Sequence, residues 1–396
     1  MTTNLPQSHP QSPSPPPVVL KVSQARDLIA MVPYRLGFVP ERSLVLAGLR
    51  GPRSRVGLVL RVDLPAPAGV AAVAEQVAGY LKGDAAFRAV AVVYDDAAAP
   101  GTGPRRDHQE LLASVRARLE TRDIELCEAW LVGAKRYWSL TCGDAGCCPD
   151  EGWPVEDLSS SQVSAEMVVR GVGVAPSRAQ LLPDLSPVPA DRMAAVQREV
   201  RAAAVPSKGG PADAADWRRQ GVAAWLALVA GTAGTGPQVP DAQQIQWVGA
   251  VLARLHDPWV RDAVLLTAVP GTGNVPEMLA SKGPHPEAHA VMNQVFGPGQ
   301  ALAPDPDLLA AARAALVQLV RHASGRGRAA PLAVLAWAAW WEGDGASAGD
   351  LAEAALSEDR ANGLAALVRG AVVAGMAPAW AAADRARDVD GLDGHG

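Results

Sequence analysis

The feature that most constrains the fold of this chain is a change of hydrophobic period part-way along it. Before Thr141, short apolar runs of strand type alternate with helical segments, and after Pro154 the strand pattern stops. Alternating strands and helices predict an α/β layer, whereas apolar residues at helical spacing predict packed helices. We therefore expect an N-terminal α/β layer, with a mixed sheet of about six strands and flanking helices, followed by an all-α helical domain.

Composition divides the 396-residue chain into segments with different expected roles. Residues 1–17 are rich in Pro and Ser, so we expect a disordered tail. Residues 18–205 form the expected α/β domain, which begins with a strand at Val18–Val22. The segment PSKGGP at residues 206–211 has the composition of a linker. Residues 212–390 form the expected helical domain.

Two hairpins and one central strand make up most of the expected sheet. Ser43–Leu49 should pair with Val56–Leu64, and Ile124–Val132 should pair with Lys135–Cys142. Phe87–Tyr94 is almost continuously apolar, as is typical of a parallel strand that is covered on both faces.

Three expectations concern individual helices. A helix that starts at Ser23 should end or kink at Pro33, because proline removes a backbone donor inside a helix. Near the C-terminus, two helices joined at Gly343–Gly345 resemble a single tetratricopeptide-like hairpin, and the alternative is an ordinary helix-bundle core. Trp340 and Trp341 are adjacent, so we expect one of them to be exposed on an interaction surface.

Chain topology gathers acidic and basic side chains at one edge of the expected sheet. Strand–helix–strand connections are almost always parallel, so the strands ending near Asp63, Tyr94 and Val132 should point the same way. Open α/β sheets usually bind ligands at the carboxyl ends of their strands. The expected ligand edge consists of Arg35, Glu41, Arg42, Asp63, Asp95, Asp96, Arg105 and Arg106.

The chemistry of this acidic edge has two explanations. Aspartates that converge at strand ends suit a hard cation such as Mg²⁺, and the arginines could bind a phosphate, as in a metal-assisted hydrolase or a phosphoryl-transfer enzyme. Aspartates that follow strands are also common turn and capping residues. In that case Arg61 and Asp63 form an ordinary ion pair.

The four cysteines of the chain form a second candidate site. Three of them lie in a Cys-rich turn at residues 142–148, and the fourth lies on an earlier strand. The candidate residues are Cys127, Cys142, Cys147 and Cys148. Four explanations remain open. The thiolates could hold Zn²⁺, Cys142 could form a redox-active or regulatory disulfide with Cys147 or Cys148, one thiol could be a nucleophile, or all could be small apolar groups that shape a turn.

The position of the cysteines depends on the turn of the second hairpin. If Gly133-Ala134 is a two-residue turn, Cys127 faces Leu140 and has Cys142 as its diagonal neighbour on the same face. The last strand runs back from the acidic edge, so the cysteines should lie at the opposite edge of the sheet. The two candidate sites are then separate.

Three segments of the chain together resemble a known family. They are VPYRLGFVPERSLVLAGL (Val32–Leu49), LRVDLP (Leu60–Pro65) and SLTCGDAGCCPDEG (Ser139–Gly152). In this order they are similar to the actinobacterial family called domain of unknown function 4192, over Val18–Trp380. Members of that family more usually have His at the position of Val39 and Asp at that of Arg42, so a family site built on those two residues would be incomplete here. The resemblance implies a fold and leaves the activity open.

Charge and composition narrow the classes of function. A net charge of −5 gives no electrostatic footprint for nucleic acid or an anionic membrane. The apolar runs are too short to span a bilayer and the start lacks a signal peptide, so we expect a cytoplasmic protein without nucleic-acid or membrane partners. No complete catalytic constellation is present. This favours a ligand-binding, regulatory or interaction protein, with a protein partner on its helical domain, over an enzyme at the acidic edge.

Overall fold

A computed structural model describes residues 25–51, 54–100, 108–144, 146–203, 210–232, 241–296 and 302–381. The N-terminal part contains a six-stranded mixed sheet. Its strands are β1 (Ser43–Arg50), β2 (Arg55–Asp63), β3 (Arg88–Tyr94), β4 (Glu125–Val132), β5 (Arg136–Ser139) and β6 (Trp153–Pro154). They pair in the order β2-β1-β3-β4-β5-β6. The predicted mixed sheet is confirmed, while the strand predicted at Val18–Val22 lies outside the described residues.

Helices cover this sheet on both faces. They are α1 (Ala25–Leu36), α2 (Val70–Gly83), α3 (Gln109–Glu120), α4 (Glu156–Ser159) and α5 (Gln162–Val169). Leu44 and Leu46 of β1 belong to a buried cluster with residues of α2 and α3. Val45 belongs to a second cluster with residues of α1 and α4. Because side chains alternate across a strand, the continuous apolar run in β1 supplies both cores.

Strand directions follow the topology that the sequence predicts. β1 is antiparallel to both β2 and β3, and β3 is parallel to β4. β2, β3 and β4 therefore point the same way, in agreement with the rule for strand–helix–strand connections. Their carboxyl ends share one edge of the sheet. β5 returns antiparallel to β4, so the Cys-rich turn that follows it starts away from that edge.

The turn of the second hairpin differs from the prediction. Val132 pairs with Tyr137, and the Gly133 amide donates to the carbonyl of Arg136 at 2.8 Å, so four residues rather than two form the loop. Gly133 packs so tightly that a β-carbon there would lie 2.7 Å from the Ala98 carbonyl oxygen, which fixes the strand end at this position. The pairing shifts by two residues, which keeps every side chain on its predicted face. Cys127 consequently does not face Leu140.

Helix α1 continues through Pro33 to Leu36, so of the two predicted outcomes, an end or a kink at the proline, the end is wrong and the kink stays a prediction. Proline removes one backbone hydrogen bond. Burial of Ile29 and Val32 against the sheet, with 1% and 0% of their surface exposed, holds the helix together across that gap.

The C-terminal part is helical. Its helices are α6 (Ala190–Ala202), α7 (Pro211–Thr232), α8 (Asp241–Leu252), α9 (Pro258–Thr267), α10 (Val275–Lys282), α11 (Pro286–Phe296), α12 (Pro306–His322), α13 (Ala329–Glu342), α14 (Gly345–Glu358) and α15 (Gly363–Val373). A single buried cluster runs from Val196 of α6 to Val368 of α15. Within the described part of the chain, no helix combines the length and apolarity needed to cross a bilayer.

Helix α13 lies at the centre of this helical core. It packs against α9, α12, α14 and α15, and 12 of its 14 residues are buried. Trp340 and Trp341 are both buried, at 7% and 0% exposure, so the expectation that one of them is exposed is wrong. Neighbouring helices surround α13, and the Trp340 indole N–H donates to the Met376 carbonyl at 2.8 Å. The likeness of the α13–α14 hairpin to a tetratricopeptide unit stays a prediction.

A buried histidine closes the C-terminal end of α12. His322 is 3% exposed. Its Nδ1 donates to the Gln318 carbonyl at 2.7 Å, and its Nε2 accepts from the Arg192 Nε at 3.2 Å. Both contacts are satisfied by a neutral imidazole. Burial lowers the pKa of His322 below its ordinary value of 6.5.

Candidate functional site: a cleft along strand β2

The predicted acidic edge does not bring its three aspartates together. Asp63 ends β2, whereas Asp95 and Asp96 follow β3, and β1 lies between those two strands. Two strand spacings amount to about 10 Å. Among the described residues, the only group of three or more metal-ligand side chains with ligand atoms within 4.8 Å of one another is formed by cysteines. The magnesium site stays a prediction, and the carboxylates that the structure describes form no such cluster for it.

Two of the aspartates make contacts typical of strand ends and turns. Asp63 pairs with Arg61 at 2.5 Å, and its side chain is 79% exposed. Asp95 accepts from the Ala97 amide at 3.2 Å through one oxygen and contacts His108 Nε2 at 3.1 Å through the other. These contacts agree with the turn-and-ion-pair explanation.

The remaining residues of the predicted edge are solvent-facing or undescribed. Glu41, Arg42 and Asp96 are exposed. Arg42 has a positive φ of 41°, and its carbonyl accepts from the Leu64 amide at 2.9 Å, so this residue connects β1 to the end of β2. Arg105 and Arg106 lie outside the described residues.

A large concave surface lies beside this edge, along strand β2, and we call it the β2 cleft. Its volume is about 610 Å³. It is lined by Tyr34, Arg35, Leu36, Gly37, Phe38, Leu58, Val59, Leu60, Arg61, Tyr80, Arg178, Leu181, Trp340, Gly343, Asp344, Gly345, Ala346, Gly349, Val372, Gly375, Met376, Ala377, Pro378 and Ala381. One wall is therefore the end of α1 and the outer strand of the sheet. The other wall is the start of α14 and the chain that follows α15.

Contacts between α2 and the chain after α15 hold the two walls together. The Tyr80 hydroxyl donates to the Val373 carbonyl and accepts from Gln76 at 2.7 Å. Gly375 has a φ of +64°, and a β-carbon there would lie 2.5 Å from the Tyr80 ring. Only glycine combines this backbone conformation with so close an approach.

Three arginines line the β2 cleft, and they differ in their partners. Arg178 forms a bidentate ion pair with Asp350, at 2.6 and 2.8 Å. Arg61 is held by Asp63 and by the Ser43 hydroxyl, which it reaches at 2.7 Å. Arg35, in the last turn of α1, is exposed and forms no ion pair with any described residue.

The amino terminus of α14 also reaches the β2 cleft. Gly345, Ala346 and Gly349 line it, and the first turn of a helix carries partial positive charge on its free N–H groups. Asp344 caps this helix by accepting from the Ser347 amide at 2.9 Å. The Asp344 carboxylate, which also lines the cleft, offsets that partial charge, so Arg35 is the group of the lining that suits a ligand with one negative group. The apolar walls suit the rest of such a ligand.

The cysteines of the turn come together as a trio, which we call the thiol cluster: Cys142, Cys147 and Cys148. The sulfur of Cys147 lies 3.2 Å from that of Cys142 and 3.4 Å from that of Cys148. All three sulfurs lie within 4.8 Å of one another. None of the chain's four cysteines is in a disulfide. Cys127 is not a member of this group, and its sulfur contacts the Glu125 carbonyl at 3.8 Å.

The three thiols differ in pKa because their surroundings differ. Hydrogen bonds from the Cys147 thiol and then from the Asp144 amide lower the pKa of Cys142. Burial raises the pKa of Cys148 to about 12, since a buried thiolate loses hydration. A hydrogen bond with Cys142 raises the pKa of Cys147. Cys142 is therefore the thiol of this cluster that ionises most readily.

The β2 cleft is the site that sequence reasoning missed. Its arginines lie in three different parts of the chain, and the predicted ligand edge included only Arg35 among them. A weak signal was present in Arg61, whose side chain shares the outward face of β2 with Asp63. The docking of α14 and the chain after α15 has no local sequence signature.

Comparison with known proteins bears on the family and not on the activity. No curated protein and no solved structure matches the chain. A family model described as Domain of unknown function (DUF4192) matches residues 26–281 and 301–379, which include the three segments Val32–Leu49, Leu60–Pro65 and Ser139–Gly152. The match covers most of the chain and confirms the resemblance seen in those segments. The chain belongs to the family described as Domain of unknown function (DUF4192).

Proposed function

We propose that the protein binds a small anion with an apolar body in the β2 cleft, and that binding regulates how its sheet and helical parts hold together. The observation that carries this proposal is the cleft of about 610 Å³ with Arg35 at its wall, a side chain that forms no ion pair with any described residue. Ligand pockets in proteins usually measure about 300–1,000 Å³ and often lie where two parts of a structure meet. The β2 cleft agrees with both properties.

The lining determines the chemical class of the ligand. Leu58, Leu60, Val372 and Met376 present apolar groups to the β2 cleft. Arg35 offers a guanidinium that matches a carboxylate or a phosphate in geometry and charge. A medium-chain carboxylate or phosphate ester satisfies both features. A neutral ligand would leave the arginine without a partner.

The regulatory part of the proposal follows from the two walls. One wall belongs to the sheet and the other to α14 and the chain after α15, so a ligand between them contacts both. A ligand that binds only the docked arrangement stabilises that arrangement by mass action. The Arg178–Asp350 ion pair lies beside the ligand, and a ligand that favours the docked arrangement also favours this pair.

The metal-assisted enzyme at the acidic edge receives less support. Asp63 and Asp95 are engaged in ion-pair and turn contacts, and β1 separates them. The carboxylates are not arranged for two of them to share a cation.

The test is a thermal-shift titration of the full chain with octanoate, octyl phosphate and neutral octanol. A ligand at 100 times its Kd stabilises a protein by about 2.7 kcal/mol, which raises the Tm by several degrees. We expect a rise with one or both anions and none with octanol. Arg35→Gln should weaken binding at least tenfold. Arg360→Gln removes the same charge from an exposed residue outside the β2 cleft and should leave binding unchanged.

Two results would contradict the proposal. One is a wild-type Tm that no anion raises above the octanol control. The other is an anion-dependent rise that Arg35→Gln and Arg360→Gln reduce equally, because that pattern reports general surface charge.

A further inference from the structure

We propose that the thiol cluster is a binding site for one thiophilic cation, Zn²⁺ or Cu⁺, with three protein ligands and one open coordination position. The proposal is independent of the β2 cleft. Both ions are soft enough to prefer thiolate ligands, and thiolate is the ligand that this cluster supplies.

The distances between the sulfurs carry the proposal. Two thiolates bound to one tetrahedral zinc, each at about 2.3 Å, lie about 3.8 Å apart. The sulfur of Cys147 lies 3.2 and 3.4 Å from its two neighbours, and no pair in the cluster exceeds 4.8 Å. Each pair therefore reaches the geometry of a metal site by a shift of about 1 Å or less.

A disulfide explains the arrangement less well. It requires two sulfurs at about 2.05 Å with a defined dihedral angle, so the nearest pair would have to approach by more than about 1 Å. It would also leave the third sulfur without a role. A metal ion accounts for the convergence of all three.

The backbone amide of each cysteine in the thiol cluster has a hydrogen-bond acceptor. The Asp144 carbonyl accepts from the amides of Cys147 and Cys148, at 3.2 and 2.7 Å. The Ser139 hydroxyl at the end of β5 accepts from the Cys142 amide at 3.0 Å. Hydrogen bonds thus fix the main chain of each ligand before any ion binds. A site prepared in this way loses little conformational entropy on binding.

The exposure of the three residues indicates what kind of metal site this is. Cys148 is buried, Cys142 is half-buried and Cys147 is exposed. An ion held by all three would lie at the surface and face solvent. Structural zinc sites are closed by four protein ligands, whereas sites with three keep a position for water or another ligand. Cys127, the one remaining thiol of the chain, is not close enough to be the fourth ligand.

The experiment uses the full chain, reduced and kept without oxygen, and titrates Zn²⁺ and Cu⁺ separately against chromophoric chelators of known affinity. We expect one ion per chain. Cys147→Ser changes an exposed side chain, so the fold should survive, and it should weaken binding at least tenfold. Cys127→Ser is the matched control and should change affinity less than twofold. The ion that competes better with its chelator identifies which metal the site prefers.

Cobalt substitution gives a second measurement. Thiolate-to-metal charge-transfer absorption should appear in the Co²⁺ form of the wild type, fall in Cys147→Ser and remain in Cys127→Ser. Circular dichroism of each variant confirms that it is folded.

Three outcomes would overturn the proposal. The first is a reduced protein that holds neither ion against a weak chelator. The second is equal binding by wild type and Cys147→Ser. The third is a reduced protein that binds no metal but loses two free thiols on treatment with peroxide, which would assign the cluster to disulfide formation.

Discussion

The ion pair between Arg50 and Asp84 gives the sharpest prediction about stability. The two side chains form a bidentate pair at 2.6 and 2.7 Å, and Asp84 also accepts from the Leu58 amide at 2.8 Å. The Asp84 side chain has no exposed surface, and that of Arg50 is 13% exposed. The pair lies beside the irregularity in β1–β2 pairing, which falls between Ala47 and Leu49.

Asp84→Asn keeps the shape of this side chain and removes its charge. Breaking a buried pair by neutralising one partner costs about 3–5 kcal/mol, because the other charge stays buried without compensation. Arg50 retains some contact with water, so we expect the lower end, about 3 kcal/mol. At about 2–4 °C per kcal/mol for a domain of this size, the Tm should fall by roughly 6–12 °C.

Urea unfolding followed by circular dichroism measures the loss, and hydrogen exchange of the Leu58 amide locates it. Asp123→Asn is the control, since it removes the same charge from an exposed pair with Lys82 at 3.7 Å. Exposed pairs contribute about 0–1 kcal/mol. If Asp84→Asn unfolds within 1 kcal/mol of the wild type, the assignment of this pair to strand stability is wrong.

Three further predictions concern packing, pH and capping. Gly249→Ala should destabilise the protein by about 1–3 kcal/mol in thermal unfolding, because the new β-carbon would lie 2.3 Å from that of Glu199; Gly79→Ala, in a helix with no atom within 4 Å, should instead stabilise it by up to about 1 kcal/mol. His322 has a folded pKa below its unfolded value of 6.5, so the unfolded state binds more protons at low pH. The stabilisation that comes from keeping His322 neutral should be complete above pH 6.5. Below that pH the free energy of unfolding should fall by up to about 1.4 kcal/mol per pH unit, and His322→Gln should reduce this slope in urea unfolding measured at several pH values. Ser161→Ala removes the side chain that accepts from the first turn of α5 and should cost about 1 kcal/mol in the same assay.

Periodicity and topology rules predicted the sheet because they depend on local pattern. The hairpin pattern predicted β1 and β2, the continuous apolar run predicted β3, and the crossover rule gave the direction of the strands. These features depend on the residues themselves and on their immediate neighbours.

The wrong predictions share a cause that lies outside the local pattern. Trp340 and Trp341 are both buried because helices surround α13 on every side. Pro33 remains inside a helix because the sheet holds its neighbours in place. In each case the deciding contacts come from elements that are distant in sequence.

The two candidate sites differ in the same way. The thiol cluster falls within one short turn, so the sequence alone identified its members. Cys127 was placed with them on the expectation that the last strand continues to Cys142, whereas β5 ends at Ser139. The β2 cleft combines Arg35 with Gly345 and Met376, and no local rule connects such distant residues.

The central position of α13 has a consequence for how the chain is made. A helix that is apolar on every side needs neighbouring helices to bury its surface. Two of the helices that bury α13 are α14 and α15, and both follow it in the chain. At a synthesis rate of about 5–20 residues per second, the ribosome needs a few seconds to add them. During that interval the nascent chain presents an uncovered tryptophan-rich helix, which is the kind of segment that chaperones bind. A transcript truncated before α14 would therefore produce an aggregating fragment instead of a smaller folded protein.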